Sequence, residues 1–221
     1  MAADVESLLA QTQLFRDLSA EERHRIAGHF VRRTFRKGAV LFHKASTDRT
    51  LFLIASGRVR IYLPTESGRE LTLDVFGPGE AFGELALLDG GPRSATAQAV
   101  DDVVTYSLHH DDFARLLNPS PLVGVVIRFL TTRLRHANEA TESLAVLDVS
   151  GRLARCLIEL ADRYGQGREI DLTQTDLASI VGATRESVNR ALAGFRQQSV
   201  IDQHGQRVLI LKPDVLRQRI Q

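Results

Sequence analysis

LTQTDLASIVGATRESVNRALAGFRQQSVI, residues 172–201, decides the C-terminal fold. Thr173 stands where a side-chain oxygen can cap a helix carrying Leu177 and Ile180, and Gly182 supplies a sharp turn. Thr184 with Ser187 opens a second helix whose inner stripe is Val188, Leu192 and Phe195. Two short helices around a tight glycine turn make a helix-turn-helix, and Val200-Ile201, His204-Gly205 and the 208–211 run VLIL then read as a β-hairpin, a wing. The helical period puts Arg185, Glu186 and Asn189 near one another and leaves Arg190 at the next exposed position. Arginine carries the fork that matches guanine O6 and N7, and glutamate accepts from cytosine N4, so these residue types suit a G·C-containing half-site. Thr173, Thr184 and Ser187 are candidates for phosphate contacts and equally ordinary helix caps.

Upstream, GRLARCLIELADRYG (151–165) spaces Leu153, Leu157 and Leu160 as an amphipathic helix that Gly165 and Gly167 end. Before it, Val123, Ile127, Leu130, Leu134, Ala137, Thr141 and Leu144 recur in steps of four and three, the heptad spacing of a seam between two helices. The spacing predicts a long helix pairing with its copy; the alternative is a stripe packed on the chain's own β domain. Between about Val31 and Leu108 the period changes to short runs, VLF at 40–42, TLFLIASG at 50–57, VRIYL at 59–63, LTLDVF at 71–76, SATAQAV at 94–100 and VVTYSL at 103–108. Turns such as Arg36-Lys37-Gly38, Ser67-Gly68, Gly77-Pro78-Gly79 and Gly90-Gly91-Pro92 separate them, which predicts an antiparallel roll or jelly-roll barrel. Ahead of it, Val5 to Leu14 has helical spacing, and Ser19 with Glu22 makes a capping box for a helix through Ile26.

With 43% hydrophobic and 25% charged residues, the 221-residue chain can bury a core and is neither disordered nor fibrous. The net charge of +1 carries no message about partners; the part from Asp148 onward holds 11 basic against 9 acidic residues, a weak asymmetry, so if that part binds DNA its basic groups must be placed on one face. A single cysteine, Cys156, excludes an internal disulfide and any multi-cysteine cluster from this chain alone; a buried small hydrophobe is the better reading for it than a redox sensor. No run approaches the roughly 20 apolar residues of a membrane span, and MAADVESLLAQ carries acids where a secretory signal carries basic residues, so a cytoplasmic protein without membrane partner is expected. Neither a Walker lysine nor H-E-x-x-H occurs, and no nucleophile, base and orienting group share a meaningful spacing, so no enzyme is expected.

Three segments in this order, GPGEAFGELALLDGGPRSATAQA (77–99), TRLRHANEATESLAVLDVSGRLARCLIELA (132–161) and the 172–201 stretch, resemble the bacterial regulators related to the cyclic AMP receptor protein and the fumarate-nitrate regulators. The resemblance covers nearly the whole chain. It implies an α+β architecture: a cyclic-nucleotide-binding-type β-roll over 1–118, a dimerisation helix over 119–147 and a winged helix-turn-helix over 148–221. A homodimer on double-stranded DNA, acting with RNA polymerase, follows from it. So do base-reading roles for Arg185, Glu186 and Arg190 and a palindrome with TGTGA-like and TCACA-like arms; Asn189 stands where the closest pattern has glycine.

A cyclic phosphate wants a guanidinium, a hydroxyl and free backbone N–H groups, which Arg93, Ser94 and the amides of Gly83, Glu84 and Leu85 can offer, while the Glu84 carboxylate can accept from a sugar hydroxyl. The resemblance implies the same roles for Gly83, Glu84, Arg93 and Ser94. The bland alternative is a Glu84–Arg93 salt bridge in a roll that binds nothing. Where the cyclic AMP sensor contacts adenine through threonine and serine, this chain has Ala137 and Asn138, so base recognition is altered; Arg133 on the same helix can reach the phosphate or pair with an acid. Cyclic AMP is the leading effector, with cyclic GMP, a cyclic dinucleotide and ligand-free action kept open, as is a regulatory subunit of a partner enzyme. The histidines, including His24, His29, His43, His109, His110 and His136, show no spacing that selects a haem site.

Overall fold

The computed structural model describes residues 2–65, 70–116, 122–164 and 169–220. The turn at Ser67-Gly68, Asn118-Pro119 and the glycines at 165 and 167 lie outside them. The chain divides into two compact units, one of residues 1–64 and 73–135, the other of 65–72 and 136–221.

Helices α1 (Ala2–Gln11) and α2 (Ala20–Ala27) open the first unit. Ser19 caps α2 through a complete capping box: its side chain accepts from the Glu22 N–H, and the Glu22 carboxylate accepts from the Ser19 N–H at 2.7 Å. Among the described residues eight strands follow, β1 (Val31–Phe35), β2 (Val40–Phe42), β3 (Thr50–Ser56), β4 (Val59–Pro64), β5 (Glu70–Phe76), β6 (Ala81–Phe82), β7 (Thr96–Ala99) and β8 (Val103–His109). They form two four-stranded sheets, in the orders β1-β8-β3-β6 and β2-β7-β4-β5. Pairing is antiparallel, with Leu51 opposite Leu108 and Val59 opposite Ala99.

The run of Leu51, Phe52, Leu53 and Ile54 shows why this is a two-sheet roll and not a half-solvated meander. All four are buried, but they serve different cores. Leu51 and Leu53 pack with Leu9, Phe15, Phe113 and the α5 residues Val125 and Phe129, whereas Phe52 and Ile54 face Phe42, Val59, Phe76 and Phe82. A strand covered on both faces loses the polar alternation of an exposed sheet, which is what the sequence shows there. Short helices α3 (Glu84–Asp89) and α4 (His110–Leu116) complete the roll. Strand β6 and helix α4 are too short to leave a periodic signal, and the sequence reading missed both.

Helix α5 (Leu122–Val146) is continuous over 25 residues. Its first part turns Val125 and Phe129 into the roll's core, with Val126 and Leu130 packed beside them.

The second unit contains α6 (Val149–Tyr164), β9 (Glu169–Asp171), α7 (Gln174–Val181), α8 (Arg185–Gln197), β10 (Ile201–His204), β11 (Arg207–Ile210) and α9 (Pro213–Gln218). Asp148 opens α6 by accepting from the Gly151 N–H at 2.7 Å. Leu153, Leu157, Leu177, Val188, Leu192 and Leu216 are essentially inaccessible to solvent and form its core. The wing is a three-stranded sheet, β10-β11-β9, with Ile201 opposite Ile210 and Val208 opposite Ile170; its third strand and α9 were absent from the sequence reading. Cys156 is buried among these helices, and burial followed by the nearby Glu159 charge pushes its thiol well above the usual range. Such a thiol is a packing group.

Candidate functional site: a guanidinium pocket in the roll and a DNA-reading helix

In the roll, Arg93 begins the return from α3 to β7, and its backbone is fixed before its side chain. The Arg93 N–H donates to Ser46 O and its carbonyl accepts from the Ala45 N–H, both at 2.8 Å, so the 43–48 loop is laid against it. Ala45 takes φ 67° to make that loop, a left-handed turn costing a non-glycine residue roughly 1–2 kcal/mol. The loop delivers Asp48 to the guanidinium: Nη2 donates to Asp48 Oδ2 and to Thr50 O, both at 2.6 Å, and Nη1 donates to Gly83 O at 3.0 Å. Thr50 Oγ1 donates to the other carboxylate oxygen at 2.6 Å. The guanidinium lies over the Phe42 ring, 3.9 Å from its centroid, and the Arg93 side chain is only 2% exposed.

Electrostatics follow from this enclosure. Burial pulls the Arg93 pKa down, and hydrogen bonding to Asp48 opposes it; partial burial pushes the Asp48 carboxyl up, but hydrogen bonds from Arg93 and Thr50 outweigh that and leave it below the ordinary carboxylate value. Glu84 acts on Arg93 through charge only, so the acid that pairs with this arginine is Asp48 and not the glutamate singled out from sequence. Gly83, at φ 82°, must be glycine: a Cβ there would stand 2.6 Å from Arg93 Nη1 and 2.9 Å from Thr50 O. Leu85 and Ser94 are exposed.

A second arginine is held in the same manner. Arg133 of α5 donates from Nη2 to Ala81 O at 2.6 Å, reaches Asp74 at 3.5 Å, and stacks 4.2 Å from the Phe76 centroid. Arg93 and Arg133 thus grip the carbonyls of residues 83 and 81, on either side of Phe82. Phe82 stacks on Phe52 and on Phe76, with centroids 5.3 and 5.9 Å apart. In both arginines Nε is buried without an acceptor among the described residues, an unmet donor at each end of the ring stack. Ala137 and Asn138 are exposed on the later part of α5.

In the second unit, Thr173 caps α7 in a capping box with Asp176, accepting from its N–H at 3.0 Å. Gly182 ends α7 at φ 62°, and Thr184 caps α8, accepting from the Ser187 N–H at 3.2 Å. Thr173, Thr184 and Ser187 therefore all act in capping. Arg185, Glu186 and Arg190 are exposed along the start of α8. A hydrogen bond from its own backbone N–H, then one from Thr184, holds the Glu186 carboxyl below its usual value, so it stays an acceptor. Asn189 departs from the other three: it is half-buried, its Oδ1 has no donor, and it lines a polar cavity of about 420 Å³ with Gln174, Arg196, Gln203 and Gly205.

Of the heptad positions, Ile127, Leu134 and Leu144 are 59%, 62% and 53% exposed, and Ala137 and Thr141 are exposed too. Leu130 turns partly into the roll, and the Val123 side chain lies outside the described residues. Three large apolar side chains left in solvent along one helix are a cost that a partner surface would remove. Among the described residues, no three His, Cys, Asp or Glu side chains are placed to hold a metal ion, and no helix is long and apolar enough to cross a membrane.

A two-sheet roll, a long helix and a winged helix-turn-helix together define a DNA-binding regulator with a nucleotide-sensor-type domain. Residues 32–120 match the cyclic nucleotide-binding domain family and residues 151–219 the Crp-like helix-turn-helix domain. The chain is 35% identical to the cyclic AMP receptor protein of Thermus thermophilus over 85% of its own length and 87% of the relative's. It is 32% identical to the CRP-like cAMP-activated global transcriptional regulator of Mycobacterium tuberculosis over 97% and 99%. The solved c-di-GMP responsive global regulator CLP of Xanthomonas campestris superposes with a TM-score of 0.75 over 87% of this chain and 99% of that one; at 24% identity it speaks for the fold alone. The chain belongs to the CRP/FNR family of transcription regulators.

Asp48, Thr50 and the phenylalanine stack escaped the sequence reading. Asp48 is 45 residues from Arg93, and no local pattern links them. The one available signal was that phenylalanine dominates the aromatic residues, ten against three tyrosines in a chain without tryptophan.

Proposed function

We propose that the protein is a dimeric, sequence-specific DNA-binding regulator, with 1–118 as sensor, 119–147 as dimerisation helix and 148–221 as reader, whose roll binds a cyclic nucleotide, cyclic AMP first among candidates. The observation that carries the ligand reading is the pair of arginines, Arg93 buried and Arg133 half-buried, each with a buried Nε donor that no described residue meets, at the two ends of the ring stack. Unmet cationic donors fit an anionic ligand rich in acceptors, and Arg93 and Arg133 would hold it, with Gly83, Glu84, Leu85, Ser94 and Asn138 as further contacts. Two relatives named for cyclic AMP support this choice of nucleotide.

Pairing through Ile127, Leu134, Ala137, Thr141 and Leu144 would set two α8 helices about one duplex turn apart, where Arg185, Glu186 and Arg190 meet base edges of TGTGA-like and TCACA-like arms. RNA polymerase is the partner this role calls for. One observation favours a second reading, DNA binding with no effector: the Asp48 carboxylate already neutralises the charge of Arg93. Fluorescence anisotropy with a TGTGA/TCACA duplex and a scrambled duplex, each with and without cyclic AMP, tests both. Cyclic AMP should tighten binding to the palindrome alone. Equal binding to both duplexes removes the sequence-specific reading, and tight palindrome binding untouched by cyclic AMP leaves only the effector-free regulator.

A further inference from the structure

Three features of the Arg93 pocket exceed what a phosphate-binding arginine needs. A guanidinium meant only for a ligand would present its fork to the pocket, whereas both terminal nitrogens of Arg93 are engaged with protein oxygens at 2.6 to 3.0 Å. One of those oxygens belongs to a carboxylate, chemically the closest protein counterpart of a phosphate oxygen pair. The carboxylate is delivered by a loop that carries a left-handed alanine and is bonded to Arg93's own backbone, and Thr50 Oγ1 fixes its second oxygen.

The two partners differ in enclosure. Arg93 is almost wholly buried, while the Asp48 side chain is 39% exposed. The acid can therefore swing into solvent at little desolvation cost, and the arginine cannot leave. Two anions cannot share Nη2 at full strength, because like charges at contact distance repel. Stacking on Phe42 keeps the guanidinium in place while its anion changes.

We infer that Asp48 is a resident counter-ion of Arg93 that a cyclic phosphate must displace, so that this carboxylate sets the affinity of the roll for its effector. The inference rests on the cyclic-nucleotide reading. It makes Asp48 an affinity-determining residue that opposes binding: the occupied pocket pays for its own arginine in the absence of ligand, and ligand gains only the difference between two anions.

The test is calorimetric titration of the full-length protein with cyclic AMP. Asp48→Asn keeps an oxygen for Arg93 but removes the charge, and should raise affinity at least tenfold; Asp48→Glu, which keeps the charge, should not. Asp48→Ser repeats the measurement if the asparagine variant melts early. In an Arg93→Ala background the Asp48→Asn gain should vanish, because it runs through that guanidinium. Wild-type binding with an unchanged or weakened Asp48→Asn variant of normal melting temperature overturns the inference and makes Asp48 a positioning residue, with the nucleotide reading intact. A gain that persists without Arg93 also overturns it. Binding by neither wild type nor Asp48→Asn sinks the nucleotide reading and the inference together.

Discussion

Gly83→Ala is the most direct probe of how tightly the roll is built around Arg93. Two costs add. The backbone sits at φ 82°, where an L side chain costs roughly 1–2 kcal/mol. The new methyl would also stand 2.6 Å from Arg93 Nη1 and 2.9 Å from Thr50 O, and the second of these is backbone that cannot step aside. The guanidinium can yield only by giving up its bonds to Gly83 O, Thr50 O or Asp48, and a bond of a charged group contributes about 1.5–3 kcal/mol. The expected loss is therefore about 2.5–5 kcal/mol. Gly79→Ala is the control, since Gly79 has nearly the same φ, 84°, but nothing within 4 Å of its added Cβ. It should lose only the backbone part, so the difference between the two variants isolates the crowding at Arg93. Urea unfolding followed by near-ultraviolet circular dichroism reports on the right unit, because nine of the ten phenylalanines lie there. Equal losses for the two variants would refute the argument that Arg93 is packed under Gly83.

Further outcomes follow from the same geometry. Leu134→Glu places a carboxylate in the exposed stripe of α5 and should shift sedimentation from dimer to monomer while leaving the roll folded, since Leu134 is 62% exposed within one chain. Arg185→Ala should cost roughly 1–3 kcal/mol in discrimination at one guanine and spare binding to scrambled DNA; equal losses on both duplexes would make it a backbone contact. Thr173→Ala removes the α7 cap and should cost about 1 kcal/mol of stability in thermal melts, a loss a purely DNA-contacting threonine would not show. The Asp48 carboxyl is lowered in the folded state, so its contribution is complete above the ordinary unfolded carboxylate value and is lost as pH falls through the lower folded one. Acid unfolding of Asp48→Asn should lack that component.

Legibility in the sequence followed the range over which each signal acts. Ser19 with Glu22, Thr173, Gly182 and Thr184 speak through groups three or four residues away, and each stands in the structure where its spacing puts it. The run at 51–54 was legible as a strand without polar alternation, but not which elements cover its two faces, because the helices that cover Leu51 and Leu53 are far away in sequence. The seam was legible as a period, yet Leu130 shows its limit: a helix that meets a roll on one side and solvent on the other carries two stripes, and spacing alone does not assign a residue to either.

The pocket was the least legible part, for a physical reason. The motif from Gly83 to Ser94 announces an arginine fit for an anion, but an anion site is defined as much by which protein acid reaches it as by the cation itself. That acid arrives on the 43–48 loop, whose only local marker is the aspartate before β3. Its placement depends on the backbone bonds from the Ala45 N–H to Arg93 O and from the Arg93 N–H to Ser46 O, made just before the chain enters β7, the strand that lies between β2 and β4. The same closure that builds the roll therefore neutralises its arginine. Folding and ligand binding here draw on one guanidinium, and a substitution that frees Arg93 for an anion should be expected to weaken the fold that presents it.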